Sequence, residues 1–251
     1  MNSRPAASHE KISTPHASET PCRRCGTCCQ KGGPAFHLAD RELIESARIP
    51  PRLLFTIRAG EPVRDNVADR VQIADSDIIK LRGTDGTPTC VCHDPVAGCT
   101  IYAHRPVECR ALDCQDTVAI AEMYQRDRLT RKALFQSVPD LWRLIRDHQE
   151  HCGHDSIREI LQGLENPNAE TALRRLGEIL EMDRMVREEP VRRGLVPANW
   201  GDLLFGRPLP RTLTGFGLQV TRSEGGFRVR PAPRSSLRFP DPLPMQGDAP
   251  C

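Results

Sequence analysis

The chain of 251 residues is 38% hydrophobic and only 4% aromatic, against 27% charged, with 22 prolines and 18 glycines. This apolar content is low for burial alone to stabilise a chain of this length, and eleven cysteines offer another source of stability. The net charge of +2 argues against nucleic acid or anionic lipid as a partner, and no apolar run reaches the ~18–20 residues of a membrane-spanning helix.

Residues 1–20 predict a disordered leader, because they are polar, rich in Ser, Thr, Ala and Pro, and without periodicity. They contain no apolar segment of a secretory signal, so we expect a cytoplasmic protein. A reducing cytoplasm disfavours disulfides, and an odd number of cysteines in a chain this long is not typical of a small secreted scaffold. Metal binding is therefore the leading interpretation of the cysteines.

Residues 21–115 are dense in cysteine, glycine and proline, and they predict a small, irregular, metal-stabilised domain. One short helix is expected, with Asp40 as its N-cap and an inner face of Leu43, Ile44 and Ala47. The segment DIIKLRGTDGTPTCVC predicts a short β-hairpin around the Asp85-Gly86 turn. This hairpin would carry Cys90 toward the other cysteines.

Residues 116–190 predict a helical region. Its first segment carries Val118, Ile120, Ala121, Tyr124 and Leu129. Pro139 is expected to open a second helix, with Leu141, Trp142, Leu144 and Ile145 inside. A third helix starts near Asp155, uses Ile157, Ile160 and Leu161, and is broken at Asn166-Pro167. The longest helix runs from about Asn168 to Glu188, with Leu173, Leu176, Ile179, Leu180 and Met185 as its core positions.

Residues 191–230 predict a loop and a C-terminal β-hairpin, since FGLQV and FRVR alternate in polarity on either side of residues 223–226. Residues 231–251 are rich in proline and predict a disordered tail. The predicted fold class is α+β, mostly α: a cysteine-rich domain with a short hairpin, followed by the helical region and the C-terminal hairpin.

The strongest functional signal is the motif Cys22-Arg-Arg-Cys25-Gly-Thr-Cys28-Cys29. A C-x-x-C step lets two thiolates reach one metal ion from a tight turn, and Gly26 gives the backbone the freedom that such a turn needs. A second group follows later in the chain and comprises Cys90, Cys92, Cys99, Cys109 and Cys114. Its spacings are too long for a single turn, so folding must bring it to the first group.

The spacing narrows the choice of metal site without deciding it. Neither a radical-SAM motif nor a bacterial ferredoxin motif fits, since the ferredoxin position for a fourth cysteine is Gly32. Tetrahedral zinc and an iron–sulfur cluster with ligands from separated segments both remain open. We expect zinc or iron as the cofactor.

The two motifs together resemble the bacterial YkgJ-like cysteine-cluster family, which is described as a zinc- or iron-chelating domain. The resemblance rests on the first motif and on a second that runs through Cys99-Thr-Ile-Tyr102-Ala-His-Arg105-Pro106-Val-Glu-Cys109-Arg. It implies metal chelation, and it aligns the hairpin cysteine of the family with Cys90, which leaves Cys92 as a spare thiol. The predicted ligand pool is Cys22, Cys25, Cys28, Cys29, Cys90, Cys99, Cys109 and Cys114.

Several residues near the cysteines could have either of two roles. Arg105 could donate hydrogen bonds to sulfurs or a carboxylate at the metal site, or it could form a structural salt bridge. Pro106 is expected to fix the turn that presents Cys109. His93 and His104 could replace a thiol as ligand, but each is expected to be a surface or outer-shell histidine.

A second group, His148, His151, Cys152 and His154, could form an auxiliary metal site, because His148 and His151 share a helix face. We favour the simpler interpretation of a polar helix terminus whose histidines lie at the negative end of the helix dipole. Cys251, the last residue of the tail, is given no role.

The function expected from these observations is a metal-chelating protein that binds zinc or an iron–sulfur cluster through thiolates. One alternative is a metal- or iron–sulfur-dependent enzyme for redox or group transfer, such as a protein methylase-like activity, because the cysteines exceed the four ligands of one ion. Another is a metal-stabilised scaffold on which residues 116–230 bind a protein partner. No methyl-donor motif G-x-G-x-x-G occurs in residues 115–251.

Overall fold

The computed structural model describes residues 24–65, 67–84, 86–113, 116–163, 169–224 and 226–231. The predicted leader and tail, Cys22, Cys114, the cap Asn168 and the break at Asn166-Pro167 lie outside these residues. Helices and short antiparallel strand pairs make up the described part, which confirms the predicted α+β, mostly α class. The domain boundaries drawn from the sequence remain predictions.

The strands of the N-terminal part form three small antiparallel pairs. Strand β1 (Leu54–Ile57) pairs with β4 (Ile78–Leu81), β2 (Pro62–Asp65) pairs with β3 (Arg70–Ile73), and β5 (His93–Asp94) pairs with β6 (Gly98–Cys99). The helices α1 (Thr27–Gln30) and α2 (Arg41–Glu45) precede these strands in the chain. Helix α2 occupies the predicted position, and its Ile44 is buried.

The partner of β4 differs from the predicted hairpin. The segment after the turn is joined to the segment before it by a Gly83–Cys90 bridge and by two hydrogen bonds, from the Val91 N–H to the Arg82 oxygen at 3.0 Å and from the Thr84 N–H to the Thr89 oxygen at 2.7 Å, but β4 itself pairs with β1. Pro88 lies in this segment and has no N–H to donate, whereas β1 is apolar and matches the buried residues of β4. The turn still brings Cys90 beside the first cysteine motif, as described below.

The cysteine-rich region ends with the short helix α3 (Val107–Ala111), and the helical region begins with two more short helices, α4 (Val118–Met123) and α5 (Arg131–Phe135). Leu129 was predicted to continue the segment of α4, but it lies beyond that helix. Helix α4 ends at Met123, Asp127 then takes a left-handed conformation with a φ of 50°, and the Leu129 N–H donates to the Phe36 oxygen at 2.9 Å. Leu129 is nevertheless fully buried.

The longer helices follow the predicted pattern: α6 (Pro139–Cys152), α7 (His154–Gln162) and α8 (Ala169–Arg192). In α8 the buried positions are Ala172, Leu176, Leu180 and Asp183, which recur at helical spacing. The prediction that Leu173 and Met185 are core residues is wrong, because both are turned away from this stripe and are 39% and 44% exposed. Their places on the buried face are taken by Ala172 and Asp183.

The described part of the chain ends with the short helices α9 (Gly201–Phe205) and α10 (Leu209–Thr212) and the hairpin of β7 (Leu218–Ser223) and β8 (Gly226–Pro231). The hairpin confirms the prediction and packs on α8 through a second core that includes Leu176, Leu180 and Leu218. The first core joins the two halves of the chain, since it contains Phe36 and Leu54 as well as Leu203 and Phe205. In the described residues, none of the helices has the length and apolarity needed to cross a membrane.

Candidate metal centre

The first cysteine motif forms a tight turn followed by the single helical turn α1. Gly26 has a φ of 80°, a left-handed conformation that a residue without a Cβ adopts without strain, and its oxygen accepts the Gln30 N–H at 3.0 Å. The thiol of Cys25 lies 3.3 Å from the Thr27 hydroxyl. Cys25 is exposed, whereas Cys28 and Cys29 are half-buried. The motif therefore presents its thiols from one short, bent segment, as the spacing predicts.

The second cysteine segment is held directly against the first by the backbone. The Cys90 N–H donates to the Cys29 oxygen at 2.7 Å, and the next turn is closed by the His93 N–H and the Cys90 oxygen at 2.9 Å. Residue His93 then pairs with Cys99 across β5 and β6. The Cys92 oxygen accepts the Thr100 N–H at 2.9 Å, so Cys90, Cys92 and Cys99 belong to one small knuckle that backbone hydrogen bonds hold together.

A third segment, helix α3, supplies Cys109 and is anchored by two carboxylates. Asp40 Oδ1 accepts the Val107 N–H at 2.8 Å, which fixes the start of the helix. Glu108 Oε2 accepts the Ala35 N–H at 2.6 Å, and its Oε1 lies 3.2 Å from His37 Nε2. Pro106 is the N-cap of this helix, in agreement with its predicted role of presenting Cys109.

Burial and mutual repulsion keep two of these thiols protonated. Burial raises the pKa of Cys29 to about 12, and Cys28, Cys90 and Cys99 add to this effect. Burial also raises the pKa of Cys109, again with contributions from Cys90, Cys28 and Cys99. The thiols of three separate segments are thus close enough to influence one another's ionisation.

Cys90 is the exception. A hydrogen bond from the Cys92 thiol, supported by the Cys92 backbone N–H and the nearby Lys80 ammonium, lowers the pKa of Cys90 to about 7 against the opposing effect of burial. The same hydrogen bond, together with burial, raises the pKa of Cys92. Cys90 is therefore the thiol of this pair that ionises first, and metal binding would displace protons from the others.

The donor set fits a soft or borderline metal, since thiolates are the preferred ligands of zinc and of iron–sulfur clusters. The positions of the donor side chains do not by themselves form a complete site. In the described ranges, no three His, Cys, Asp or Glu side chains form a group that could hold an ion. The structure thus brings together the segments of Cys25, Cys28, Cys29, Cys90, Cys99 and Cys109, whereas the predicted ligands Cys22 and Cys114 lie outside the described residues.

Three residues beside the predicted ligands have contacts that the sequence pattern does not indicate: Cys92, Lys80 and His93. Cys92 was assigned as a spare thiol, but it is only 4% exposed and acts directly on Cys90. Lys80 comes from β4 and is one of only four lysines in the chain, a signal that could have singled it out. The ring of His93 covers Gly26 so closely that a Cβ there would lie 2.2 Å from Nε2.

Arg105 has a contact that neither sequence-based reading included. Its guanidinium lies 3.7 Å from the ring centroid of Tyr102, and Arg24 lies 3.8 Å from the same centroid. The buried Nε of Arg105 has no hydrogen-bond partner in the part of the chain that the structure describes. Two guanidinium groups therefore stack on one tyrosine beside the cysteines. His104, the chain neighbour of Arg105, is exposed.

The second predicted group is not a polar helix terminus, and this interpretation is wrong for three of its four residues. His148, Cys152 and His154 are buried, and only His151 is exposed, with its Nδ1 donating to the Asp147 oxygen at 2.8 Å. Burial lowers the pKa of His148 to about 4, although Asp183 accepts from its Nε2 at 2.8 Å. These histidines are neutral core residues that pair with other helices, which the local sequence pattern cannot show.

The comparisons with known proteins concern the cysteine region. Residues 21–133 match the model of the family described as "CxxCxxCC: Putative zinc- or iron-chelating domain", which confirms the resemblance predicted from the two motifs. The matched segment covers a little under half of the chain and extends from the first cysteine motif to α5. No curated protein and no solved structure matches the chain. The family match supports metal binding by this region.

Proposed function

We propose that this protein is a thiolate-based metal-chelating protein that binds zinc or iron through its cysteine cluster. The observation that carries the proposal is the coincidence of the family match with the folded arrangement: cysteines of α1, the β5–β6 knuckle and α3 influence one another's ionisation. The ligands would be drawn from Cys22, Cys25, Cys28, Cys29, Cys90, Cys99, Cys109 and Cys114. A reducing compartment such as the cytoplasm would keep these thiols available for a metal.

The bound ion would contribute stability that the hydrophobic cores alone do not supply. The segments that carry the cysteines consist of very short helices and two-residue strands, so few backbone hydrogen bonds hold them. Ligands from three such segments convert the binding free energy of a metal into folding free energy. Zinc would supply a structural tetrahedral centre, and an iron–sulfur cluster would add electron transfer or group-transfer chemistry.

The test is elemental analysis and an ultraviolet–visible spectrum of full-length protein purified without oxygen. We expect at least one zinc or iron per chain, with iron and acid-labile sulfide if a cluster is present. Cys109→Ser should lower the metal content or affinity. Cys152→Ser is the matched control, because this cysteine is fully buried on α6 away from the cluster, and it should bind metal like the wild type.

Protein that carries no stoichiometric metal, and whose melting temperature is unchanged by a strong chelator, would refute the proposal. A colourless zinc protein would favour the scaffold hypothesis, in which residues 116–230 bind a partner. A redox-active iron–sulfur protein would favour the enzymatic hypothesis.

A further inference from the structure

One buried arginine has no carboxylate partner in the part of the chain that the structure describes. Arg58 follows β1 and is fully buried. Its Nη1 donates to the Cys152 oxygen at 3.0 Å, but its Nε and Nη2 are buried with no hydrogen-bond partner among the described residues. Burial and repulsion by Arg131 lower the pKa of Arg58 to about 10, which leaves the guanidinium charged at neutral pH. A buried charge of this kind is costly unless an opposite charge compensates it.

The carboxylates around Arg58 are already engaged by other arginines. The pairs are Asp77 with Arg131, Asp183 with Arg187, and Glu61 with Arg207. Glu61 also accepts the backbone N–H of Arg58 at 3.1 Å, but it forms no ion pair with the Arg58 side chain. A fourth carboxylate, Asp202, lies 3.8 Å from Arg187 and 3.2 Å from Arg82. Among these described residues, five guanidinium groups therefore share four carboxylates, and Arg58 is the one without an ion pair.

The histidines of the same interior do not supply the missing charge. His148 Nε2 faces Asp183, and His154 Nε2 lies 3.1 Å from the Thr212 hydroxyl. Their Nδ1 atoms are buried and have no hydrogen-bond partner within the described ranges, and burial lowers the pKa of both rings, so both are neutral near pH 7. Water could satisfy these nitrogen atoms and the Arg58 N–H groups, but it cannot balance a positive charge.

We propose that Arg58 anchors an internal site for a small monovalent inorganic anion, of the size of a halide, at the junction between the cysteine-rich region and the C-terminal helices. The anion accepts from Nε and Nη2 of Arg58 and completes the charge balance of this interior. Such an ion is independent of metal binding at the cysteine cluster.

The packing around Arg58 favours a small ion. Gly206, which has a φ of 73°, lies directly on the arginine stem, and a Cβ there would come within 2.7 Å of Cγ, 2.8 Å of Cδ and 3.0 Å of Nε. The stem is therefore closely enclosed on this side. Phe205, next to Gly206, is also buried and stands 5.1 Å from the ring of His148, centroid to centroid. Because the surroundings are closely packed on this side, we expect the guanidinium to accept a single-atom ion rather than a polyatomic ligand.

The experiment measures the melting temperature of the full-length, metal-loaded protein in sodium bromide and in sodium fluoride at equal ionic strength. Fluoride is strongly hydrated and serves as the reference anion. We expect bromide to raise the melting temperature by about 3–6 °C for each tenfold increase above its dissociation constant. Arg58→Met should abolish the difference between the two salts. Arg143→Met, which removes an exposed arginine, should retain it.

Crystals soaked in bromide give a second readout that needs no variant. An anomalous bromide peak within hydrogen-bond distance of the Arg58 guanidinium supports the proposal, even if Arg58→Met fails to fold. Equal melting temperatures in the two salts, or a bromide effect that Arg58→Met retains, overturn it. So does a crystal in which water molecules alone contact the guanidinium.

Discussion

Asp183 is the central acceptor of the C-terminal interior, and its replacement by asparagine tests how much of the stability depends on this carboxylate. Its Oδ1 accepts from His148 Nε2 at 2.8 Å and from Arg187 Nε at 3.0 Å, and its Oδ2 accepts the Leu209 N–H at 3.1 Å. The side chain is 2% exposed. An amide has one acceptor oxygen and no charge, so it cannot satisfy all three donors.

The size of the effect follows from two observations. Burial alone would raise the pKa of Asp183, yet its hydrogen bond with His148 and the charge of Arg187 lower it to about 2. The change from the ordinary value corresponds to about 2 kcal/mol. Removing one partner of a buried pair costs about 3–5 kcal/mol. We therefore expect Asp183→Asn to lower the free energy of unfolding by about 3 kcal/mol and the melting temperature by about 6–12 °C.

Calorimetry or circular dichroism at pH 7, with the metal content held constant, measures this loss. The matched control is Glu178→Gln on the same helix, because the Glu178–Arg174 pair is exposed at both side chains. An exposed pair contributes less than about 1 kcal/mol, so the control should melt within about 2 °C of the wild type. If Asp183→Asn melts as close to the wild type as the control does, the carboxylate does not organise this interior and the reasoning is wrong.

Three further changes test other parts of the structure. Glu108→Gln should weaken metal binding about 10–100-fold in competition with a chromophoric chelator, because the carboxylate anchors α3; an unchanged affinity would contradict this. Gly26→Ala should lower metal affinity more than Gly86→Ala, since both have positive φ but only the first would clash with His93, and equal affinities would show that the clash has no consequence. Burial lowers the pKa of His148 to about 4, so this histidine stabilises the fold only while it is neutral. Its contribution to the free energy of unfolding is complete above about pH 6.5 and falls by up to about 3 kcal/mol as the pH is lowered toward 4. Denaturant titrations at several pH values should show this dependence, and His148→Gln should flatten it; a variant with the same slope would exclude this histidine as the cause.

Local patterns in the sequence were sufficient to predict the longer helices and the cysteine motif. Pro139 opens α6 because its fixed φ suits a first helical position, and the polarity alternation of residues 218–231 produces the C-terminal hairpin. The two cysteine motifs were sufficient to predict the family that matches residues 21–133. These features depend on residues that are close in the sequence.

The predictions that failed depend on long-range partners. The sequence places Ile78 beside a turn, yet β4 pairs with β1, because β1 supplies the apolar edge that the proline-containing segment after the turn cannot. Leu173 is as apolar as Leu176, but only the position relative to α6 and the hairpin decides which of the two is buried. Burial of this kind is a property of the assembled layers.

Residue type and spacing were enough to predict the two cysteine motifs, the helical region and the match to a zinc- or iron-chelating domain, because these properties are local in the sequence. The hydrogen bond between the Cys90 and Cys29 backbones and the burial of His148 as a neutral ring are visible only in the folded protein. The same is true of Arg58, which has no carboxylate partner among the described residues. The physical reason is that pairing, burial and charge balance depend on which distant segments meet, and a residue's own neighbours in the chain do not contain that information.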